Sequence, residues 1–276
     1  MKNNLLIRSI TGLLFVLVLV GAIYAGPYTF ALVFILTITL AIKEFSHLIK
    51  EVKSIQIHLP LNILCGILLF IAIWSYRADF TGAVAFAPYI MALIGLFLLE
   101  LYRKSKNPID NWAYSFFGQI YIALPFSLLS YLGFEERGSE YSPIFPLFIF
   151  VFIWLNDSGA YLIGCNFGKR KLFPRISPKK SWEGFYGGVI TAIIGSYIAS
   201  LFFPILSTIE WIGLGAVVSI LGTFGDLGES LLKRTLGVKD SGSILPGHGG
   251  MLDRFDSSLI AIPAALAYLL CIGAIV

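Results

Sequence analysis

The chain has 276 residues, of which 57% are hydrophobic and only 13% are charged. A soluble domain carries about 25% charged residues, so this composition excludes a soluble globular protein, and it excludes a disordered one for the same reason. The three cysteines form no CxxC pair, which excludes a disulfide scaffold and gives zinc no frame to bind. The composition therefore predicts an all-α, polytopic integral membrane protein.

Nine apolar segments, some of them marginal, approach the roughly 20 residues that a helix needs to cross the hydrocarbon core. In chain order they are 10–25, 28–42, 59–75, 84–101, 112–132, 143–164, 184–203, 211–231 and 257–276. The first is predicted to be a membrane helix, because the stretch ending at Gly26 offers only a weak signal-peptide cleavage site. We divide the chain into N-terminal scaffold helices, 1–142, and C-terminal helices, 143–276, which carry the predicted site.

The basic residues fix the orientation. If the N-terminus is cytoplasmic, nine crossings place all but two of the 20 Lys and Arg residues on the cytoplasmic side, and only Arg77 and Arg137 lie on the far side. The loops 165–183 and 232–256 are then cytoplasmic, and the C-terminus lies on the far side. The first half is expected to be plain scaffold with its charges in loops.

Carboxylates enter the helices of the second half, where a charge costs about 2.5–3.5 kcal/mol at the helix centre. Asp157 lies in the sixth segment, and Asp226 and Glu229 lie in the eighth. A polar stripe also follows one face of the eighth helix, with residues spaced by three and four positions. The stripe comprises Ser219, Thr223, Asp226, Ser230 and Lys233. The alternative explanation is a local Asp226–Ser230 or Glu229–Lys233 pair.

A glycine-rich run follows that helix and ends in Asp253-Arg254-Phe255-Asp256. If the ninth helix begins there, Asp253 and Asp256 share a face, and with Asp226 they supply the hard oxygen ligands that suit Mg²⁺. We therefore predict a site for Mg²⁺, with room for a second cation, on Asp226, Asp253 and Asp256. The alternative is that Asp253 or Asp256 only caps the last helix.

A second group of polar residues lies in the loop 176–184, where Pro178 is expected to fix a turn. Its Lys179 and Lys180 are predicted to bind phosphate groups, with Ser181 as a hydrogen-bond donor. For Lys169, Arg170 and Lys171, just upstream, the positive-inside pattern alone explains the charge.

The polar residues from 230 to 256 resemble the signature of the phosphatidate cytidylyltransferases, also called CDP-diacylglycerol synthases. The run is Ser230-x-x-Lys233-Arg234-x-x-x-x-Lys239-Asp240, continuing to His248-Gly249-Gly250-x-x-Asp253-Arg254-x-Asp256. The blocks 156–161 and 177–184 also resemble family blocks, with Ser158 and Ser181 where a Thr is common. The resemblance covers roughly 150–276 clearly.

The resemblance implies transfer of the cytidylyl group from CTP to phosphatidate, giving CDP-diacylglycerol and pyrophosphate with a divalent cation. On this basis Asp226, Asp253, Asp256 and Lys179 are the candidate catalytic residues. The candidate substrate-binding residues are Asp157, Lys180, Ser181, Lys233, Arg234, Lys239, His248, Gly249, Gly250 and Arg254. We expect a bacterial plasma-membrane protein with a cytoplasmic site, CTP and phosphatidate as partners, no nucleic-acid partner, and a homodimer as one option.

Two other functions fit a membrane protein of this kind. A CTP-dependent polyprenol- or phytol-kinase-like enzyme would share the nucleotide and the lipid but would transfer the γ-phosphoryl group. An ion-coupled transporter would use the intramembrane acids as ion ligands, but it should place them near the midplane rather than toward one face.

Overall fold

The computed structural model describes residues 2–53, 55–242 and 249–275, with side chains described from residue 10 and not at 52 and 53. In these ranges the chain is helical apart from one short β-hairpin and the loops that connect the elements. The helices are α1 (Lys2–Ala25), α2 (Pro27–Lys53), α3 (Leu59–Arg77), α4 (Ala87–Tyr102), α5 (Pro108–Gly118), α6 (Leu124–Tyr131), α7 (Ile144–Phe167), α8 (Trp182–Phe202), α9 (Thr208–Thr235), α10 (Leu252–Phe255) and α11 (Ser258–Cys271). The hairpin consists of β1 (Lys171–Phe173) and β2 (Ser177–Ser181).

Eight helical stretches in the described ranges are long and apolar enough to cross a membrane, and a ninth, Ile10–Ala25, is shorter. Three of the eight are composite. Ala83–Tyr102 adds a 3₁₀ turn to α4, Pro108–Tyr131 joins α5 to α6 through a π-helical turn, and Leu252–Cys271 joins α10 to α11. The prediction of an all-α, polytopic membrane protein is confirmed.

Helices and apolar segments do not end at the same residues. The second apolar segment ends at 42, whereas α2 continues to Lys53, so Lys43 and Glu44 lie on a helix. Glu100 likewise lies within α4, where it is buried. The prediction that the charges of the first half lie in loops is therefore wrong, because backbone hydrogen bonding continues beyond the point where hydropathy falls.

The chain divides into two compact units. The first comprises Met1–Pro143 and Thr235–Phe255, and the second comprises Ile144–Arg234 and Asp256–Val276. Each unit combines a long continuous part of the chain with a shorter part from the C-terminal region.

The core of the first unit is aromatic. Phe30, Phe34, Phe70 and Phe126 are completely buried, and their rings form a chain of contacts with centroids 4.7–6.2 Å apart. Such rings supply large apolar areas, and their tilted contacts add to the stabilisation. They join α2, α3 and α6 around one interior.

The second unit is organised by close packing of α7 against α8. A Cβ at Gly188 would lie 2.7 Å from the carbonyl oxygen of Asn156, and one at Gly184 would lie 2.9 Å from that of Ala160. The two glycines are four residues apart and therefore lie on one face of α8. Small residues at this spacing allow membrane helices to pack closely. This packing fixes the relative positions of the polar residues near the ends of α7 and α8.

The β-hairpin between α7 and α8 was not anticipated from the sequence. Its strands pair antiparallel, with Lys171 opposite Ser181 and Phe173 opposite Ser177. The turn comprises residues 174–176, and Pro178 lies within β2. The expectation that Pro178 fixes the turn is therefore wrong; Pro174 lies in the turn instead, where its fixed φ suits the backbone.

Candidate functional site

A cavity of about 370 Å³ in the second unit is lined by residues of α7, the hairpin, α8 and α9, and its polar lining comes from α7, the hairpin and α9. Its polar lining comprises Asn156, Asp157, Tyr161, Cys165, Lys179, Lys180, Ser181, Thr223 and Asp226. Five of the predicted site residues therefore share one cavity, namely Asp157, Lys179, Lys180, Ser181 and Asp226.

The start of α8 holds the hairpin in place. The buried hydroxyl of Ser181 caps the helix by accepting a hydrogen bond from the Gly184 N–H at 3.1 Å. The Glu183 carboxylate accepts hydrogen bonds from the backbone N–H groups of Lys169 at 3.0 Å and Arg170 at 3.2 Å. Negative charge in the first turn of a helix is favourable. This capping role of Ser181 was not predicted from the sequence. The capping bond uses the hydroxyl oxygen as acceptor, so the O–H remains able to donate a hydrogen bond into the cavity.

Lys180 and Asp226 form an ion pair inside the cavity. The Lys180 Nζ lies 2.5 Å from Asp226 Oδ2, and each side chain is 27% exposed. Asp226 Oδ1 accepts a hydrogen bond from the Ser230 hydroxyl at 3.3 Å. Lys179, the preceding residue of β2, is exposed and also lines the cavity. The cavity therefore offers two ammonium groups and a partly exposed carboxylate.

Asp256 belongs to the same acidic neighbourhood. Its half-buried carboxylate lies within electrostatic range of Asp226, Glu229 and Asp157, and accepts a hydrogen bond from the Ser257 N–H at 2.6 Å. The chain at Asp256 can approach α9 closely because residue 225 is a glycine; a Cβ at Gly225 would lie 2.8 Å from the Asp256 carbonyl oxygen.

The polar stripe of α9 faces the interior of the second unit. Ser219 and Thr223 are buried, and the Thr223 hydroxyl accepts a hydrogen bond from Asn156 Nδ2 at 3.1 Å. Further along, the buried carboxylate of Glu229 pairs with Lys233 Nζ at 3.0 Å. Both local pairs considered as the alternative, Asp226–Ser230 and Glu229–Lys233, are thus present, and a substrate role for Lys233 stays a prediction.

The donor chemistry of this region suits a hard cation. Asp226 and Asp256 provide carboxylate oxygens, and Mg²⁺ is commonly held by one or two carboxylates together with waters and substrate phosphates. No three Asp, Glu, His or Cys side chains within 2–53, 55–242 and 249–275 converge closely enough to form a cation site by themselves. The two carboxylates therefore fit a cation whose coordination is completed by phosphate oxygens, and the binding of Mg²⁺ stays a prediction.

Asp253 lies in α10, in the first unit, and its carboxylate organises backbone. Asp253 Oδ2 accepts hydrogen bonds from the N–H groups of Ser241 at 3.0 Å and Gly250 at 2.8 Å. Gly249 has a φ of +82°, a conformation that favours glycine. These bonds give the glycines and Asp253 a structural role, whereas their predicted substrate and metal roles stay predictions.

Glu44 is the residue that the sequence analysis missed. Its buried carboxylate on α2 accepts hydrogen bonds from the Met251 N–H at 2.6 Å, the Leu252 N–H at 3.3 Å and the Ser241 hydroxyl. No sequence signal marks this role, because Glu44 follows Lys43 at the end of an apolar segment, where charges normally indicate a loop. About 200 residues separate it from its partners in sequence.

The remaining predicted residues are basic side chains within the signature. Arg234, Lys239 and Arg254 are exposed. His248 lies outside the described residues.

The comparisons with known proteins cover nearly the whole chain. The model of the cytidylyltransferase family matches residues 6–272. The phosphatidate cytidylyltransferase of Bacillus subtilis is 34% identical over 265 residues, covering 93% of this chain and 94% of the relative. That of Staphylococcus epidermidis is 32% identical, covering 93% and 96%, and that of Staphylococcus aureus is 47% identical over 137 residues, covering 49% and 52%. The chain belongs to the cytidylyltransferase family.

Proposed function

We propose that this protein transfers the cytidylyl group of CTP to phosphatidate, forming CDP-diacylglycerol and pyrophosphate. The observation that carries the proposal is the cavity in which Lys179 and Lys180 lie beside Asp226. Family membership supports nucleotidyl transfer, and the relatives' names supply phosphatidate as the acceptor.

Both substrates are phosphate anions, and the cavity has groups to bind them. Ammonium groups form strong, charge-assisted hydrogen bonds with phosphate oxygens. Lys179 and Lys180 would hold the triphosphate of CTP or the phosphate of phosphatidate, and the Ser181 hydroxyl would donate a further hydrogen bond. A lysine contact at the α-phosphate would also stabilise charge that develops during transfer.

The reaction needs no strong general base. A phosphomonoester has a second pKa near 6, so the phosphatidate phosphate is largely dianionic at pH 7. One of its oxygens attacks the α-phosphorus of CTP, a new P–O bond forms, and the bond to the β-phosphate oxygen breaks to release pyrophosphate. The chain's contribution is to hold the two phosphates together in line and to offset their mutual repulsion.

We propose that Asp226 and Asp256 hold Mg²⁺, and the metal role of Asp253 stays a prediction from the signature. When bound, this ion supplies Lewis-acid polarisation of the phosphate oxygens and neutralises their charge. Each carboxylate repels a phosphate group that arrives without a bound cation. The carboxylates would therefore favour binding of CTP together with its metal ion.

We further propose that the site faces the cytoplasm of a bacterial cell, where CTP is present. The segregation of the Lys and Arg residues to one side supports this orientation. The lipid substrate would then reach the cavity from the cytoplasmic leaflet.

Product analysis separates this reaction from its closest competitor. Purified protein is incubated with phosphatidate, Mg²⁺ and CTP labelled on either the α- or the γ-phosphate. We expect the α-label in the lipid product and the γ-label in pyrophosphate. A lipid labelled from the γ-position, with release of CDP, would instead identify a CTP-dependent lipid kinase.

A further inference from the structure

Glu44 is a buried acid that has no role in the reaction proposed above. It lies on α2, in the first unit, with only 5% of its surface exposed. A carboxylate buried in this way is costly unless its oxygens accept hydrogen bonds. Each of its oxygens does so, and the donors among the described residues all belong to the signature, at Ser241, Met251 and Leu252.

The signature backbone is shaped around this carboxylate. A Cβ at Gly250 would collide with Glu44 Oε1, and a Cβ at Gly242 would lie 2.9 Å from Glu44 Cδ. Neither position can therefore carry a side chain unless Glu44 moves. Gly250 is a candidate substrate-binding residue in the sequence, but the group that approaches the Cα of Gly242 and of Gly250 is the Glu44 side chain.

Glu44 and Asp253 both accept hydrogen bonds from Ser241. The Ser241 hydroxyl donates to Glu44, and the Ser241 N–H donates to Asp253 Oδ2. Gly250 donates its N–H to Asp253, and the next two N–H groups donate to Glu44. The two acids therefore fix the backbone on both sides of the segment 243–248.

We propose that Glu44 is a positioning residue, whose carboxylate holds Ser241 and the 250–252 backbone so that Asp253 is correctly oriented for the reaction. This inference rests on the proposed function, because it assigns Asp253 a role in that reaction. Loss of groups that orient metal ligands typically lowers metal affinity or activity by about 10- to 100-fold.

The test compares Glu44→Gln with Glu51→Gln, a matched control on the same helix. Glu51 is exposed and pairs only locally with His47 among the ion pairs of the described residues. In Glu44→Gln we expect about a 10-fold or greater loss of kcat/KM and a higher Mg²⁺ concentration for half-maximal rate. Glu51→Gln should match the wild type. Simple loss of folded protein would lower the maximal rate without changing the Mg²⁺ requirement.

Hydrogen exchange provides a readout that does not depend on activity. The Met251 and Leu252 amides should exchange faster in Glu44→Gln, while the amides of α3 keep their protection. If the wild type shows no cytidylyl transfer but this local change occurs, the proposed function fails and the hydrogen-bonding role of Glu44 stands. Unchanged exchange at 251–252, or an active Glu44→Gln variant with normal Mg²⁺ dependence, would overturn the inference.

Two further variants keep the inference testable if Glu44→Gln does not fold. Ser241→Ala removes a single hydroxyl from the contact and should produce a smaller loss in the same direction. Gly250→Ala should be severely impaired, and its effect should not add to that of Glu44→Ala, because the smaller side chain makes room for the new methyl group. A full additive loss in the double variant, or a Ser241→Ala variant identical to the wild type, would count against the proposal.

Discussion

At the residue scale, the Lys180–Asp226 pair defines what the cavity can bind. A cation that approaches Asp226 competes with Lys180, and a phosphate that approaches Lys180 competes with Asp226. A cation and a phosphate that arrive together satisfy both side chains at once. We therefore expect the pair to favour a metal–phosphate complex over either component alone, as the proposed reaction of CTP with Mg²⁺ would require.

Lys179 and Lys180 should be far more sensitive to substitution than the nearby Lys171. Lys179→Ala and Lys180→Ala should each lower kcat/KM by about 10- to 100-fold, since a hydrogen bond to a charged group contributes roughly 1.5–3 kcal/mol. Lys171 is exposed on β1 and does not line the cavity, so Lys171→Ala is the control. Equal, mild losses at all three positions would refute a special role for β2.

Asp253→Asn and Asp256→Asn test whether the negative charge of each side chain, rather than its hydrogen bonds to the backbone, is needed for activity. The amide oxygen of Asn can still accept the backbone hydrogen bonds that Asp253 and Asp256 accept, so both variants should stay folded in detergent. Each should nevertheless lose most of its activity, and raising Mg²⁺ should restore little of it, because a negative oxygen ligand is missing. Near-normal rates with normal Mg²⁺ dependence in both variants would mean that these acids only order the backbone.

The sequence reveals the acids of the second half more easily than Glu44. Asp157 and Asp226 stand out because they interrupt apolar helices and accompany recognisable motifs. Glu44 follows Lys43 at the end of an apolar segment, where charges normally mark a loop. Its significance depends on partners about 200 residues away, which neither hydropathy nor helical periodicity can indicate.

At the scale of elements, Gly225 allows α9 and the chain around Asp256 to meet. A Cβ there would lie 2.8 Å from the Asp256 carbonyl oxygen and 2.9 Å from that of Ser257. These atoms are backbone and cannot rotate away, so a side chain at 225 would push the two stretches apart. Asp226 and Asp256 would then separate.

Gly225→Ala should therefore lower activity strongly, whereas Gly228→Ala on the same helix should not. Among the described residues, no atom outside the neighbouring backbone of α9 lies within 4 Å of a Cβ at Gly228, and alanine in a helix is favoured over glycine by about 0.5–1 kcal/mol. Thermal unfolding in detergent should show Gly225→Ala destabilised and Gly228→Ala unchanged or slightly stabilised. If the two variants behave alike in both assays, close approach at Gly225 is not important for the site.

Hydropathy is sufficient to predict that the membrane helices exist, because each crossing needs a long apolar run, but it does not predict where they end. The β-hairpin is not predictable in this way. Its strands have only three and five residues, and its polar sequence has no clear alternation. It is held by contacts that hydropathy does not register, such as those of Glu183 with the Lys169 and Arg170 backbone.

At the scale of the whole molecule, the orientation in the membrane that we propose from the charge distribution is open to test. Single cysteines are introduced at Lys239, which is exposed beside the buried Ser241, and at Ser139, in a background without the native cysteines. In sealed right-side-out vesicles, an impermeant reagent should label position 139 and not position 239. Labelling of position 239 without position 139 would reverse the proposed orientation.

The central claim is that the cavity beside Asp226 carries out cytidylyl transfer, and the rate of CDP-lipid formation by Asp226→Asn tests it most directly. Glu210→Gln is the control, because Glu210 lies on the same helix and bonds locally to Ser207. At equal amounts of folded protein, Asp226→Asn should be slower than the wild type by about 100-fold or more, and Glu210→Gln should be close to the wild type. A near-normal rate and Mg²⁺ dependence in Asp226→Asn would contradict the claim.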